Sequence, residues 1–274
     1  MERLSTLAAR AGRRDAGRFG SYHNHTTWSD GVHSPDELVN RALAIGFSEI
    51  GITDHAYTLK GGIHCVHDSQ IDDYRAALDH LRQCYKPQIR VLIGLEIDTS
   101  SSNPNRFTLP VHKLARLDYV LFEYVGEHAR GGMLLQEFLS IRREIRCPVG
   151  LAHPNMPALI AEYGARSLAE TLAANDVFID ACGSARNSRR VSYERPGLSR
   201  DFTLNIEALG DEFKAAARSC GLQFVPSSDT HYDNERDALT ATVNAIATID
   251  RYGLPRMVFD HEDFQRHDEE PQDT

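Results

Sequence analysis

No stretch of this chain is long and apolar enough to cross a bilayer. Runs such as VLIGL at 91–95 are far shorter than the roughly 20 residues a membrane helix needs. The N-terminal MERLSTLAARAGRRDAGRFG carries arginines but no central apolar block, so it does not read as a secretory signal, and a cytoplasmic protein is expected. Cysteine is sparse: Cys65, Cys84, Cys147, Cys182 and Cys220 are an odd five with no CxxC pair, which favours reduced thiols over a disulfide framework. Positive charge is in deficit. Thirty Lys and Arg against thirty-nine Asp and Glu leave a formal charge of −9, which argues against nucleic-acid binding driven by bulk electrostatics. Tryptophan occurs once, at Trp28, and reads as a packing residue rather than the wall of a site. No glycine-rich phosphate loop and no nucleophile triad spacing occur, and there is no internal repeat or long linker.

What is present is a repeated alternation of strand-like and helix-like segments. With 41 % hydrophobic residues, the 274-residue chain can bury a full core. SPDEL at 34–38 is a strong helix start: Ser34 caps, Pro35 suits the first turn and Glu37 completes a capping box. Leu38, Val39, Ala42 and Ile45 then recur at helical spacing until Gly46. Strands are expected at 48–53, 89–97, 117–124, 147–153, 176–182 and 222–229, after a first one near His23. Helices are expected at 71–85, 133–145, near 167–174, at 205–220 and at about 235–249. Strand followed by helix, about seven times over, predicts a single α/β domain: a (β/α)7 barrel over 19–265. A flexible segment at 1–18 and an acidic tail at 266–274 flank it.

Histidine is abundant, with thirteen in the chain. YHNHTTWSDG at 22–31 sets His23 and His25 two apart, a spacing that points both side chains the same way on extended backbone. Asp54 and His55 follow the second strand. Glu96 ends VLIGLEI, His153 ends CPVGLAH, and Asp229 and His231 follow LQFVPSS. All these positions fall at the carboxyl ends of strands, the face on which parallel barrels build active sites. Imidazoles suit zinc, iron or manganese, and carboxylates can bridge two cations. Glu96, between Leu95 and Ile97, needs a positive partner if buried. Two metals about 3.5–4 Å apart would supply it and would activate a shared water.

The ordered set HNHTTWSDG, ITDH, GLEID, LAHPNMP and SSDTH, spanning residues 22–231, resembles the polymerase-and-histidinol-phosphatase (PHP) family, and most of all its stand-alone phosphatase and phosphoesterase members. The resemblance implies a distorted seven-stranded barrel holding two to three divalent ions (zinc, manganese or iron). It implies one metal on His23, His25, Glu96 and Asp229. A second rests on the bridging Glu96 and His153, and a third on Asp30, His55 and His231. The family places a histidine near the end of the fourth strand. This chain reads LDYVLFEYVGEH there, so either Glu123 stands in for that ligand or His128 reaches in from the following loop. A glutamate there would favour harder metals. Asp54 is expected to orient a ligand or hold its loop.

The implied activity is hydrolysis of a phosphate monoester of a small metabolite, as in histidinol phosphatases, by a hydroxide bridging two metals at Glu96. His231 and His55 are candidates to assist the leaving group, although both are implied ligands. The loop GSARNSRRVSYERPGLSR at 183–200 offers Arg186, Arg189 and Arg190 as a phosphate grip. Lys60 is a weaker candidate, and His64 and His67 are open to a substrate-loop role. The expected partner is a small phosphorylated molecule, without membrane or nucleic acid; oligomeric state is not legible. Alternatives are a phosphodiesterase or nucleotide phosphatase of the same family, an amidohydrolase-type enzyme, and a non-catalytic domain keeping the fold. The amidohydrolase reading lacks its usual lysine at a strand end.

Overall fold

Seven parallel strands follow one another around one sheet in chain order: β1 (Gly20–Ser21), β2 (Glu49–Ala56), β3 (Arg90–Asp98), β4 (Tyr119–Glu123), β5 (Val149–Leu151), β6 (Val177–Cys182) and β7 (Phe224–Ser227). They belong to a computed structural model that describes residues 19–58, 64–182, 206, 209–231 and 236–259. The first and last strands meet, with Tyr22 N donating to Pro226 O at 3.2 Å and His25 N to Thr230 O at 2.9 Å. The sheet is thereby brought round into a barrel of the expected α/β class.

The helices lie outside it: α1 (Pro35–Ile45), α2 (Ile71–Tyr85), α3 (Val111–Leu114), α4 (Leu135–Arg142), α5 (Met156–Tyr163), α6 (Ala165–Ala174), α7 (Asp211–Cys220) and α8 (Arg236–Arg251). The start of α1 is as the sequence implies. Ser34 Oγ accepts from Glu37 N, Glu37 returns a carboxylate to Ser34 N at 2.9 Å, and Gly46 closes the helix at φ 95°. Helix α5 is an addition to the expected set. Asn155 caps it by accepting from Ala158 N, and Pro157 sits in its first turn, where its missing N–H costs nothing. The strand expected over 147–153 shrinks to β5, because the chain leaves the sheet where His153 turns into left-handed backbone at φ 29°.

Alternation along the strands separates two environments. Val91, Ile93, Leu95 and Ile97 of β3 face outward into the apolar layer beneath the helices, so Leu92, Gly94, Glu96 and Asp98 face the barrel interior. In β4, Val120 and Phe122 face out, while Tyr119 and Leu121 join the inner cluster and Glu123 shares their side. Gly51, His55 and Thr53 of β2, and Phe178 and Asp180 of β6, follow the same parity. The lower barrel is filled by aromatic and aliphatic groups, among them Tyr22, Tyr119, Phe178 and Phe259. Gly51 makes room for this filling, since a Cβ there would lie 1.9 Å from Tyr119 Oη. Phe259 arrives after α8, on a segment hydrogen-bonded to Phe224 through Phe224 N to Pro255 O and Met257 N to Phe224 O. Inward-facing residues are therefore apolar at the amino ends of the strands and ionisable at the carboxyl ends.

Candidate metal centre

The carboxyl ends of the strands deliver nine ligand-type side chains to one place: His23, His25, Asp30, His55, Glu96, Glu123, His153, Asp229 and His231. They fall into four overlapping groups whose donor atoms lie within 4.8 Å of one another: His25–Asp30–His55–His231, His23–His25–Asp229, His23–Glu96–His153 and His55–Glu96–Glu123. Strand parity aims His55, Glu96 and Glu123 inward. His153 and Asp229 stand just past their strands at positive φ, 29° and 50°, a conformation that non-glycine residues seldom adopt and that bends each side chain back over the barrel mouth.

Glu96 is the hub. Its Oε1 lies 3.0 Å from His153 Nε2 and 3.3 Å from His23 Nε2, and its Oε2 lies 2.8 Å from His55 Nδ1 and 3.5 Å from His25 Nε2. Glu123 Oε1 stands 3.7 Å from His55 Nδ1. Asp229 Oδ1 is 3.3–3.7 Å from His231 Nδ1, His25 Nε2 and His23 Nε2. On the solvent side Asp30 Oδ1 faces His231 Nε2 at 3.3 Å and His55 Nε2 at 3.7 Å. Asp30 is the most open of the set, its side chain 23 % exposed, whereas His23, His25 and Glu96 are sealed.

The electrostatics of this cluster ask for cations. Burial alone would raise the Glu96 carboxyl, but the imidazoles of His23 and His55 hold it well below the usual range. Asp229 is likewise held low, against its burial, chiefly by His231 and His23. Burial opposes protonation of His231, yet Asp229 and Asp30 carry it up to about 9. His25 is pushed down to about 3 by burial and by its neighbours His231 and His55, which leaves it neutral and free to donate a lone pair. Three carboxylates, Glu96, Asp229 and Asp30, are thus balanced against imidazole charge in a largely buried space. Glu96 Oε1 and Oε2 and Asp30 Oδ1 are buried without a hydrogen bond of acceptable geometry among the described residues. Buried anionic oxygens facing imidazole nitrogens fit divalent cations of the zinc, manganese and iron type.

Two further carboxylates brace the ligands. Asp54, on the opposite parity from His55, accepts from Thr26 N at 2.7 Å, Thr26 Oγ1 at 2.8 Å and Ser29 Oγ at 2.6 Å. Ser29 Oγ stands 3.4 Å from His25 Nδ1, so Asp54 both holds the His23–Asp30 loop and backs a ligand, as expected. Asp180 was not singled out by the sequence reading. It is fully buried, and its Oδ2 lies 2.7 Å from His23 Nδ1. The signal was present: an acidic residue inside the apolar strand VFIDAC, as Glu96 is inside VLIGLEI.

Other expected residues lie elsewhere. His128 is not brought to the cluster; it sits in a 3-10 turn at His128–Arg130, its side chain 62 % exposed and 3.1 Å from Glu162. Of the two fourth-strand candidates only Glu123 joins the centre, because strand parity governs it whereas His128 lies beyond the turn at Gly126. Trp28 is half-buried and packs edge-on against Tyr74 at 5.5 Å, on the outside of the core. His64 and His67 belong to none of the ligand groups, and His67 begins the turn into α2. Arg186, Arg189, Arg190 and Lys60 lie outside the described residues.

Residues 21–131 match the PHP domain. That stretch contains His23, His25, Asp30, His55, Glu96 and Glu123, and ends before His153, Asp229 and His231. No curated protein matches the chain. Among solved structures it is similar to histidinol phosphate phosphatase (HISK) from Lactococcus lactis subsp. lactis Il1403, complexed with zinc, L-histidinol and phosphate. The identity is 16 %, with 87 % of this chain and 95 % of that chain covered and a TM-score of 0.57. It is also similar to hisK from Listeria monocytogenes at 14 % identity, covering 78 % of this chain and 95 % of that one, TM-score 0.50. At these identities the likeness establishes a barrel of the same fold.

Proposed function

We propose, from the match of residues 21–131 to the PHP domain, that this protein is a metal-dependent phosphoesterase hydrolysing a phosphate monoester of a small metabolite. The observation that carries the reading is the cluster itself. Five imidazoles and four carboxylates converge at the barrel mouth in overlapping groups of three and four, with Glu96 shared by two of them. We assign two to three divalent cations to these groups. When bound, such cations acidify water and screen the charge of a phosphoryl group.

The residues divide the remaining work by position. Glu96, with imidazoles against both oxygens, spans the two halves of the cluster and holds them in one geometry. Asp54 and Ser29 keep His25 oriented behind it. Asp30 with His231 and His55 forms the edge nearest solvent, and a substrate phosphate enters from that side. With two cations bound and the Asp30 edge left to protons, His231, and less so His55, which also faces Glu96, is placed to hold a proton toward a leaving alcohol. The zinc, L-histidinol and phosphate carried by the Lactococcus lactis structure support a small phosphorylated alcohol as the first substrate class to test. No lysine ends a strand among the described residues, which leaves the amidohydrolase alternative without its usual residue.

The test is elemental analysis together with hydrolysis of para-nitrophenyl phosphate and its bis-ester, before and after chelation and re-addition of manganese, zinc or iron. Two or three metals per chain with chelator-sensitive monoester cleavage is the expected result. A preference for the bis-ester would move the assignment to a phosphodiesterase. A protein that binds no metal would overturn the reading.

A further inference from the structure

Asp180 belongs to none of the four ligand groups, yet it touches two members of one of them. Its Oδ2 accepts from His23 Nδ1 at 2.7 Å and from the backbone N–H of His153 at 3.3 Å, and its Oδ1 accepts from Ser227 Oγ. These partners come from the ends of β1, β5 and β7, so one buried side chain on β6 ties three strands together where the site is built. Both oxygens are thereby occupied, and neither is offered to the cluster.

A carboxylate only accepts hydrogen bonds, so Nδ1 of His23 carries the proton and Nε2 keeps its lone pair. Nε2 is the nitrogen that faces Glu96 Oε1 at 3.3 Å. His153 stands on the other side of the same oxygen, Nε2 at 3.0 Å, with its ring nearly parallel to that of His23 (14°, centroids 5.5 Å apart). The left-handed backbone of His153 is an unfavourable conformation that something must hold, and the N–H bonded to Asp180 is at that residue. The backing differs at other imidazoles: His25 Nδ1 faces a serine hydroxyl and His231 Nδ1 a backbone carbonyl.

We propose that Asp180 is the positioning residue of His23 and His153, setting the tautomer and ring orientation of His23 and the aim of His153 so that both present Nε2 to the cations held at Glu96. This rests on the metal-dependent reading of the centre. Outer carboxylates of this kind typically change metal affinity about 10–100-fold when removed. Asp180→Asn is the informative variant, because it keeps the volume while an amide, unlike a carboxylate, can donate as well as accept, so the tautomer of His23 is no longer fixed and Ser227 Oγ loses its acceptor.

Manganese affinities of the full chain are measured by competition with a chelator, alongside melting temperatures in excess chelator. We expect the equivalents held by His23 and His153 to bind about 10–100-fold more weakly in D180N and the one at the Asp30–His55–His231 edge to keep its affinity, with the chelated melting temperature lowered by loss of the buried Asp180–His23 pair. Wild-type affinity at every equivalent would overturn the proposal. So would an equal loss at every equivalent, the mark of a merely structural role. Should D180N fail to fold, nitrogen NMR of the zinc-loaded wild-type imidazoles decides the matter. Protonated Nδ1 on His23 supports the assignment, and protonated Nε2 overturns it. Wild-type protein that takes up no metal at all would instead overturn the metal centre itself, an outcome read without any variant.

Discussion

Glu96 contributes an acidic side chain that is fully buried and in contact with four imidazoles through both of its oxygens. Such a group is tolerable only while positive charge surrounds it. Glu96→Gln keeps the volume and removes that charge, so it should lower the affinity of two cations together, each by more than the roughly 10–100-fold attributed to an outer partner. Monoester hydrolysis should fall with it. Elemental analysis of the purified variant checks this, and wild-type metal content with wild-type turnover would contradict the role of hub. Glu123 is a subtler case. Its place at the strand end favours it over His128 in the sequence, and Tyr119, Leu121 and Glu123 share one side of β4, so a count by two from the inward Tyr119 ends on Glu123. His128 pairs with Glu162 away from the centre.

Elements were legible where a local chemical signal marks their ends. Helix α1 is the clearest, because Ser34, Pro35, Glu37 and Gly46 each satisfy a specific backbone need at its termini. Ser34→Ala should cost about 1 kcal/mol of stability through loss of the cap. It should leave metal content and turnover unchanged, since α1 lies outside the barrel; urea unfolding with parallel metal analysis measures both. A loss of bound metal in this variant would show that the helix supports the centre more directly than its position implies. At α5 the prolines of LAHPNMP fit a rigid turn into a helix, but its bounds depend on Asn155 acting as the cap. Strand β5 ended early for a reason no propensity contains: His153 leaves the sheet with positive φ in order to reach Glu96.

At the scale of the whole molecule, protons and cations compete for one set of lone pairs, and this sets a pH dependence for the chelated protein. His25 is depressed to about 3 from its ordinary 6.5, so the unfolded chain binds more protons between those values and stability falls as pH drops below 6.5. His231 is raised from 6.5 to about 9; its contribution is complete below 6.5 and is lost as pH rises through about 9. His23 and His153 are shifted in the same direction as His231, chiefly by Glu96 acting against their burial. The depressed carboxyls of Glu96 and Asp229 lose their contribution only in acid. The melting temperature in chelator should therefore peak between about pH 6 and 7 and fall on both sides. Saturating metal should raise it and flatten the alkaline side, by roughly 5–10 °C at a hundred-fold excess over Kd. A flat profile in chelator would contradict the charge arrangement.

The order of motifs, the strand–helix alternation and the spacing of His23, His25, Asp30, His55, Glu96, His153, Asp229 and His231 were determined by the sequence alone. Each is a local pattern: caps and periodicities act within a few residues, and ligand types are recognisable one at a time. What only the tertiary structure decided is which partners those residues meet. Asp180 is separated from His23 by 157 positions, and only closure of the barrel, with β7 between β6 and β1, brings this inward-facing strand aspartate against His23. Glu123 rather than His128 lies in the cluster for the same reason, by which side of a strand faces a shared interior.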